Sequence, residues 1–280
     1  MIPLKIGYSP CPNDTFIFAA LAQQPPAALF EFQPVLADVE TLNQWALKGQ
    51  LPVTKLSFMA LGLVRDSYGL LSAGGALGRG CGPLLVARPG TTLAALDSGS
   101  VAAPGNLTTA RLLLGLFCGR APQFKQMVFS EVMPAVARGE ADFGLVIHEG
   151  RFTYANLGLA ALLDLGAWWE QKTGLPIPLG GIAVRRDLGA DVARQVDQAI
   201  LNSLQTAMNA PDEAMGYVLS HAQEMDPQVV SRHIELYVNS FSLDLGAEGR
   251  KAVEKLFSTA EEAGLVPASP LPVMAYSLDS

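Results

Sequence analysis

From Leu4 to Arg185 the chain alternates short apolar runs with longer stretches of helical periodicity. Strand-like runs fall at Leu4–Tyr8, Phe30–Leu36, Val53–Phe58, Gly99–Ala103, Phe143–Ile147 and Ile182–Arg185. Between them the spacing predicts helices over Phe16–Gln23, with Asp14 or Thr15 as cap, over Glu40–Lys48, Met59–Arg65 and Glu131–Arg138, and one opened by Thr108 or Thr109 that runs to Phe117. Parallel neighbours in a sheet need a crossover, usually a helix, so this order predicts an α/β fold with a largely parallel sheet. After Asp187 only helical patterns remain, at Val192–Met208, Asp212–Ser220, Pro227–Tyr237 and Ala247–Ala263.

Two places read as crossings between lobes. Ala87–Pro89 leaves one strand–helix set, and the Pro176-Ile-Pro-Leu-Gly-Gly stretch returns to it. Residues 89–180 would then form a smaller lobe, and residues 1–88 with 181–280 a discontinuous larger one. Two extended crossings suit a hinged cleft; the alternative is one continuous sheet.

Composition narrows the function classes. Hydrophobic residues make up 50% and charged residues 16% of the 280, which suits a large interior. A membrane span needs about 20 consecutive apolar residues. Arg111 and Arg120 bracket Leu112–Gly119, and Asp164 interrupts Leu157–Trp169, so no membrane span is expected. The formal net charge is −7 without a lysine or arginine run, which speaks against nucleic acid as a partner. No basic and apolar leader precedes Leu4, and Cys11, Cys81 and Cys118 form neither a disulfide framework nor a zinc pattern. A reduced, cytoplasmic setting is the expectation. No Asp/Glu/His/Cys cluster has metal-ligand spacing, so no metal is expected.

Few residues stand where chemistry could use them. His148 ends the run Phe143-Gly-Leu-Val-Ile, at the carboxyl end of a strand, where open α/β sheets face their ligand crevice. It is either a general base or a residue that bonds its own loop. Asn106-Leu-Thr-Thr-Ala opens a helix whose free N–H groups could hold an anion, with the threonine hydroxyls as further donors, or is an ordinary cap. Lys55 and Ser57 share one face of an otherwise apolar strand. A buried lysine there needs an anionic partner, which a substrate carboxylate would supply; a solvated strand end is the alternative. Cys11 lies at a strand-to-helix turn that could favour a thiolate, but no base neighbours it. His221 and His233 sit inside helical patterns and read as surface or packing residues. Gly74–Gly82 lacks phosphate-loop spacing, and Trp168-Trp169 reads as apolar cover, with an aromatic ligand wall as the lesser alternative.

Taken together, Ser9-Pro-Cys-Pro-Asn-Asp-Thr-Phe-Ile-Phe, Lys55-Leu-Ser, Asn106-Leu-Thr-Thr-Ala and Ile147-His-Glu-Gly resemble the 1,4-dihydroxy-6-naphthoate synthase family of the futalosine route to menaquinone. The resemblance implies a two-lobed fold like type II periplasmic binding proteins, with the site in the cleft. It implies a carbon–carbon lyase that converts cyclic dehypoxanthinyl futalosine, a small aromatic carboxylate, to 1,4-dihydroxy-6-naphthoate and a three-carbon fragment without a metal; aromatisation would supply much of the driving force, so no cofactor is expected. By the family pattern the proton acceptor falls on His148, and substrate contacts fall on Lys55, Leu56, Ser57, Thr109 and Ala110. The chorismate dehydratase of the same pathway and a non-catalytic small-carboxylate-binding protein are the rival readings.

Overall fold

The computed structural model describes residues 2–23, 30–222 and 226–277. Its strands are β1 (Ile2–Tyr8), β2 (Phe30–Leu36), β3 (Val53–Ser57), β4 (Tyr68–Leu70), β5 (Ala76–Gly78), β6 (Leu84–Ala87), β7 (Ser100–Ala103), β8 (Gln123–Gln126), β9 (Phe143–Val146), β10 (Ala160–Asp164) and β11 (Ile177–Arg185). The helices are α1 (Pro12–Gln23), α2 (Val39–Leu47), α3 (Phe58–Val64), α4 (Thr109–Cys118), α5 (Phe129–Arg138), α6 (Gly150–Thr153), α7 (Leu165–Thr173), α8 (Gly189–Asn209), α9 (Pro211–His221), α10 (Pro227–Tyr237), α11 (Ser240–Leu243) and α12 (Gly246–Glu262).

The strands form two sheets. One runs β2-β1-β3-β11-β4, with β5 also on β11; the other runs β10-β6-β9-β7-β8. Neither is largely parallel, which corrects the sequence expectation. β11 is antiparallel to β3, β4 and β5, and β6 is antiparallel to β9 and β10. Only β1 with β2 and β3, and β7 with β8 and β9, keep the parallel crossovers that the alternation predicted. Every antiparallel pair contains β6 or β11, the strands that stand beside the two crossings between sheets.

Leu84–Ala87 is buried on both faces between β9 and β10. Leu84–Ala87 therefore lies in the second sheet, not with the rest of residues 1–88. Gly82 and Gly166 bring the adjoining segments into contact: a Cβ on Gly82 would lie 2.2 Å from the Gly166 nitrogen. The polar edge strand β8, with the pattern Gln-Phe-Lys-Gln, carries none of the apolar signal that marks a buried strand.

One apolar core spans both sheets, joining Leu56, Phe58 and Phe257 to Leu85, Leu113 and Phe143. A second lies between β1, α1 and α8, where Tyr8 and Phe18 stack at 4.2 Å and meet Val196 and Ile200. No helix of the described residues is long and apolar enough to cross a membrane.

Candidate active site

The turn after β1 builds the floor of the cleft. Helix α1 starts at Pro12, earlier than the predicted Phe16, because proline at a first helical position gives up only an N–H that would be unpaired anyway. Asp14 therefore lies inside the first turn and caps nothing. Its carboxylate accepts from Ser9 Oγ at 2.7 Å, the Ser9 N–H at 3.3 Å and Asn13 Nδ2 at 2.9 Å. It also faces Lys55 Nζ at 2.9 Å.

The anionic partner that the strand lysine requires is thus Asp14. Lys55 is 5% exposed and also donates to the Gly74 carbonyl at 3.0 Å. Next along the same face, Ser57 Oγ accepts from Asn43 Nδ2 at 3.1 Å, which leaves the hydroxyl proton free to donate. Leu56 points its side chain into the shared core, so only its backbone can meet a ligand.

Thr108 caps α4 through the Arg111 N–H. Thr109 and Ala110 are the first residues of that helix, and their N–H groups have no carbonyl one turn back to bond. The Thr109 hydroxyl does not add the donor that the sequence suggested. It accepts from the Phe58 N–H at 2.9 Å and donates to the Leu179 carbonyl, tying α4 to β3 and β11. Glu40 of α2 accepts from the Asn106 and Leu107 N–H groups, each at 3.0 Å, and holds the turn that leads into α4.

His148 follows β9 and has φ 52°, in the left-handed region; it is the only non-glycine there among the described residues. Such a conformation costs free energy and persists where surrounding structure imposes it. Its ring lies 6.0 Å from that of His233, nearly parallel, and edge-on to Phe129 at 5.6 Å. Neither ring nitrogen is bonded to a protein group among the described residues, so both are available to a ligand. Burial lowers the His148 pKa below its ordinary 6.5; the nearby Glu149 and Asp14 carboxylates pull it back up and Lys55 pushes with burial. The imidazole is accordingly neutral at neutral pH.

These groups surround one chamber. Lys55, Leu56, Ser57, Thr109, Ala110 and His148, the six residues singled out from the sequence, all line it, together with Asp14 and Tyr237. The chamber opens to solvent. A wider outer chamber, walled by Cys11, Gln126 and Phe129, adjoins it and shares Val39, Ile147 and His148. His148 thus stands at the neck between the two.

The sequence missed part of this wall. Tyr237 is buried, and burial pushes its phenol pKa up. His233 takes the packing role of the two read for it: it does not line the chamber and is fully buried beneath His148. The four-residue spacing of His233 and Tyr237 places both on one face of α10 and was the available signal. Cys11 offers no stabilised thiolate, since burial and then Glu149 raise its pKa. Trp169 donates Nε1 to the Pro176 carbonyl and Trp168 packs edge-on against Phe117; neither lines the chamber. His221 binds the Tyr217 carbonyl at 2.9 Å, on α9, away from the cleft.

Two sheets with a ligand chamber between them define the architecture of the periplasmic-binding-protein class. A ligand-binding component of an ABC-type import system from Staphylococcus aureus superposes with TM-score 0.69 at 15% identity, covering 96% of this chain and 94% of its own. At that identity the likeness is one of fold. A solved protein of Archaeoglobus fulgidus is nearer, with TM-score 0.87 and 36% identity over 94% of this chain and 98% of its own. A family described as menaquinone biosynthesis matches residues 4–262. A Thermus thermophilus protein named 1,4-dihydroxy-6-naphthoate synthase is 51% identical, covering 98% of this chain and 99% of its own. One of the same name from Streptomyces coelicolor is 47% identical over 95% of each chain. The chain belongs to this menaquinone biosynthesis family of enzymes.

Proposed function

We propose that the protein is a 1,4-dihydroxy-6-naphthoate synthase, a carbon–carbon lyase that acts on cyclic dehypoxanthinyl futalosine with His148 as general base. The observation that carries the reading is the state of His148: a neutral imidazole with both nitrogens uncommitted, held in a strained backbone at the neck of a chamber lined by donors. A neutral imidazole can accept a proton from bound substrate, and carbon–carbon cleavage follows as the ring aromatises. Positive charge then rests on His148 beside Glu149 and Asp14, whose carboxylates favour it. The Ser57 hydroxyl and the Thr109 and Ala110 N–H groups are oriented donors for a substrate carboxylate or a developing oxyanion. Lys55 contributes with its charge already half-spent on Asp14.

Sheet membership supports a larger lobe of residues 2–78 and 177–277 and a smaller one of residues 84–173. We place the enzyme in the cytoplasm, where its three free cysteines stay reduced. A pure carboxylate binder of the same fold would have no use for an uncommitted base at the neck.

The test is turnover. Purified protein incubated with cyclic dehypoxanthinyl futalosine should release the naphthoate, read by its absorbance and mass. His148→Asn should lower kcat by about 10²–10⁴, the usual contribution of a general base, with the melting temperature near wild type. Absence of product from the wild type would refute the substrate assignment, and wild-type turnover in the variant would remove His148 from the chemistry.

A further inference from the structure

Beneath His148 lies a second histidine that the proposed chemistry does not use. His233 is fully buried, and its Nε2 is 2.9 Å from Asn13 Oδ1. Asn13 Nδ2 donates to Asp14, so Oδ1 is the atom facing His233, and His233 Nε2 must carry the proton. Its Nδ1 then presents a lone pair to Glu149 Oε2 at 3.8 Å, beyond hydrogen-bond reach, and both atoms are buried without a partner among the described residues. A bare nitrogen and a bare carboxylate oxygen face to face are costly unless the place demands a flat, uncharged ring.

The neighbours show what demands it. Among the described residues no carboxylate or carbonyl bonds the His148 ring, as one does in most catalytic imidazoles. Instead it lies almost parallel to His233, with ring planes 16° apart and centroids at 6.0 Å. The groups facing His233 are Glu149 and His148 from the turn after β9, Asn13 from α1, and Tyr237 from its own helix at 4.7 Å. Through Asn13 and Asp14 the same ring is linked to Lys55 in the substrate chamber.

We propose that His233 is a positioning residue, the platform that sets the angle of the His148 imidazole and, through Asn13, couples it to the Asp14–Lys55 pair. This rests on His148 being the base. Burial, and secondarily His148 itself, holds the His233 pKa well below 6.5, so the platform stays neutral when His148 takes up a proton. A charged platform would repel the imidazolium; a neutral one does not.

Two variants separate the platform from the tether. His233→Gln keeps an amide N–H near the Nε2 position and removes the flat ring. It should lower kcat at least tenfold with KM within about threefold of wild type, and move the acidic limb of kcat/KM upward as water reaches His148 from below. His233→Phe keeps the ring and removes the donor, so it should raise KM by a larger factor than it lowers kcat, because Asn13 and Asp14 relax. A proton and carbon titration of the His148 ring by NMR, assigned by its loss in His148→Asn, reads the coupling without turnover. If His148→Asn proves fully active, the base reading fails, and an unchanged His148 titration in His233→Gln would separately remove the platform. Wild-type kcat and pH limb in His233→Gln would overturn the proposal. If that variant does not fold, a His233→Phe enzyme that loses more in kcat than in KM would do the same.

Discussion

Replacing Lys55 by methionine removes the cation from a pair whose side chains are 6% and 4% exposed. The Asp14 carboxylate, nearly buried, is then held only by Ser9 and Asn13. Breaking a buried ion pair from one side costs about 3–5 kcal/mol. Three surviving neutral donors place this case at the low end, about 3 kcal/mol. With a urea m-value of about 3 kcal/mol/M, the unfolding midpoint should fall by about 1 M. Asp14→Asn in the same chain takes away the stranded charge, so the double variant should recover about 2 kcal/mol relative to Lys55→Met. Equilibrium unfolding of the wild type, both single variants and the double variant, followed by circular dichroism and tryptophan fluorescence, gives the cycle. A Lys55→Met midpoint within roughly 0.3 M of wild type, or strictly additive single effects, would refute the view that Asp14 is the partner on which Lys55 depends. The same cycle decides how substrate affinities of Lys55 variants are read, since a variant that loses the pair loses part of the chamber floor as well.

Because burial lowers the His148 pKa, the neutral, reactive form gains population below the ordinary histidine value. The acidic limb of kcat/KM should therefore be centred below about 6.5 and rise with pH, whereas a limb above that value would contradict the buried placement. His233 is buried neutral, so between its depressed folded pKa and the unfolded value near 6.5 the unfolded chain binds the extra proton. Stability from this residue is complete above about pH 6.5 and falls as pH drops below it; urea midpoints measured from pH 8 to 5 should decline less in His233→Gln than in wild type. Glu40→Ala strips the acceptors from two backbone N–H groups that lead into α4. It should cost about 1.5–3 kcal/mol by urea unfolding and raise KM, and a loss below about 0.5 kcal/mol would show that the α4 start is held by other contacts.

Local sequence determined the parts of this protein that short-range chemistry controls. The alternation of apolar and amphipathic runs placed β1, β2, β3, β7 and β9 within a residue or two, and of the two threonines that could open α4 the structure uses Thr108 as the cap. The strand period put Lys55 and Ser57 on one face and turned Leu56 to the core, and the strand-end rule picked out His148. Strand direction was out of reach, because whether a strand returns parallel or antiparallel depends on which sheet it joins, and β6 and β11 join theirs across lobe crossings. Partners were out of reach for the same reason. Asp14 meets Lys55 and Asn13 meets His233 only once α1, β3 and α10 pack together, 41 and 220 residues apart along the chain. A sequence can require that a buried lysine be neutralised; only the tertiary structure chooses between the chain's own carboxylate and a substrate's, because that choice is made by distances of about 3 Å between segments with no local tie.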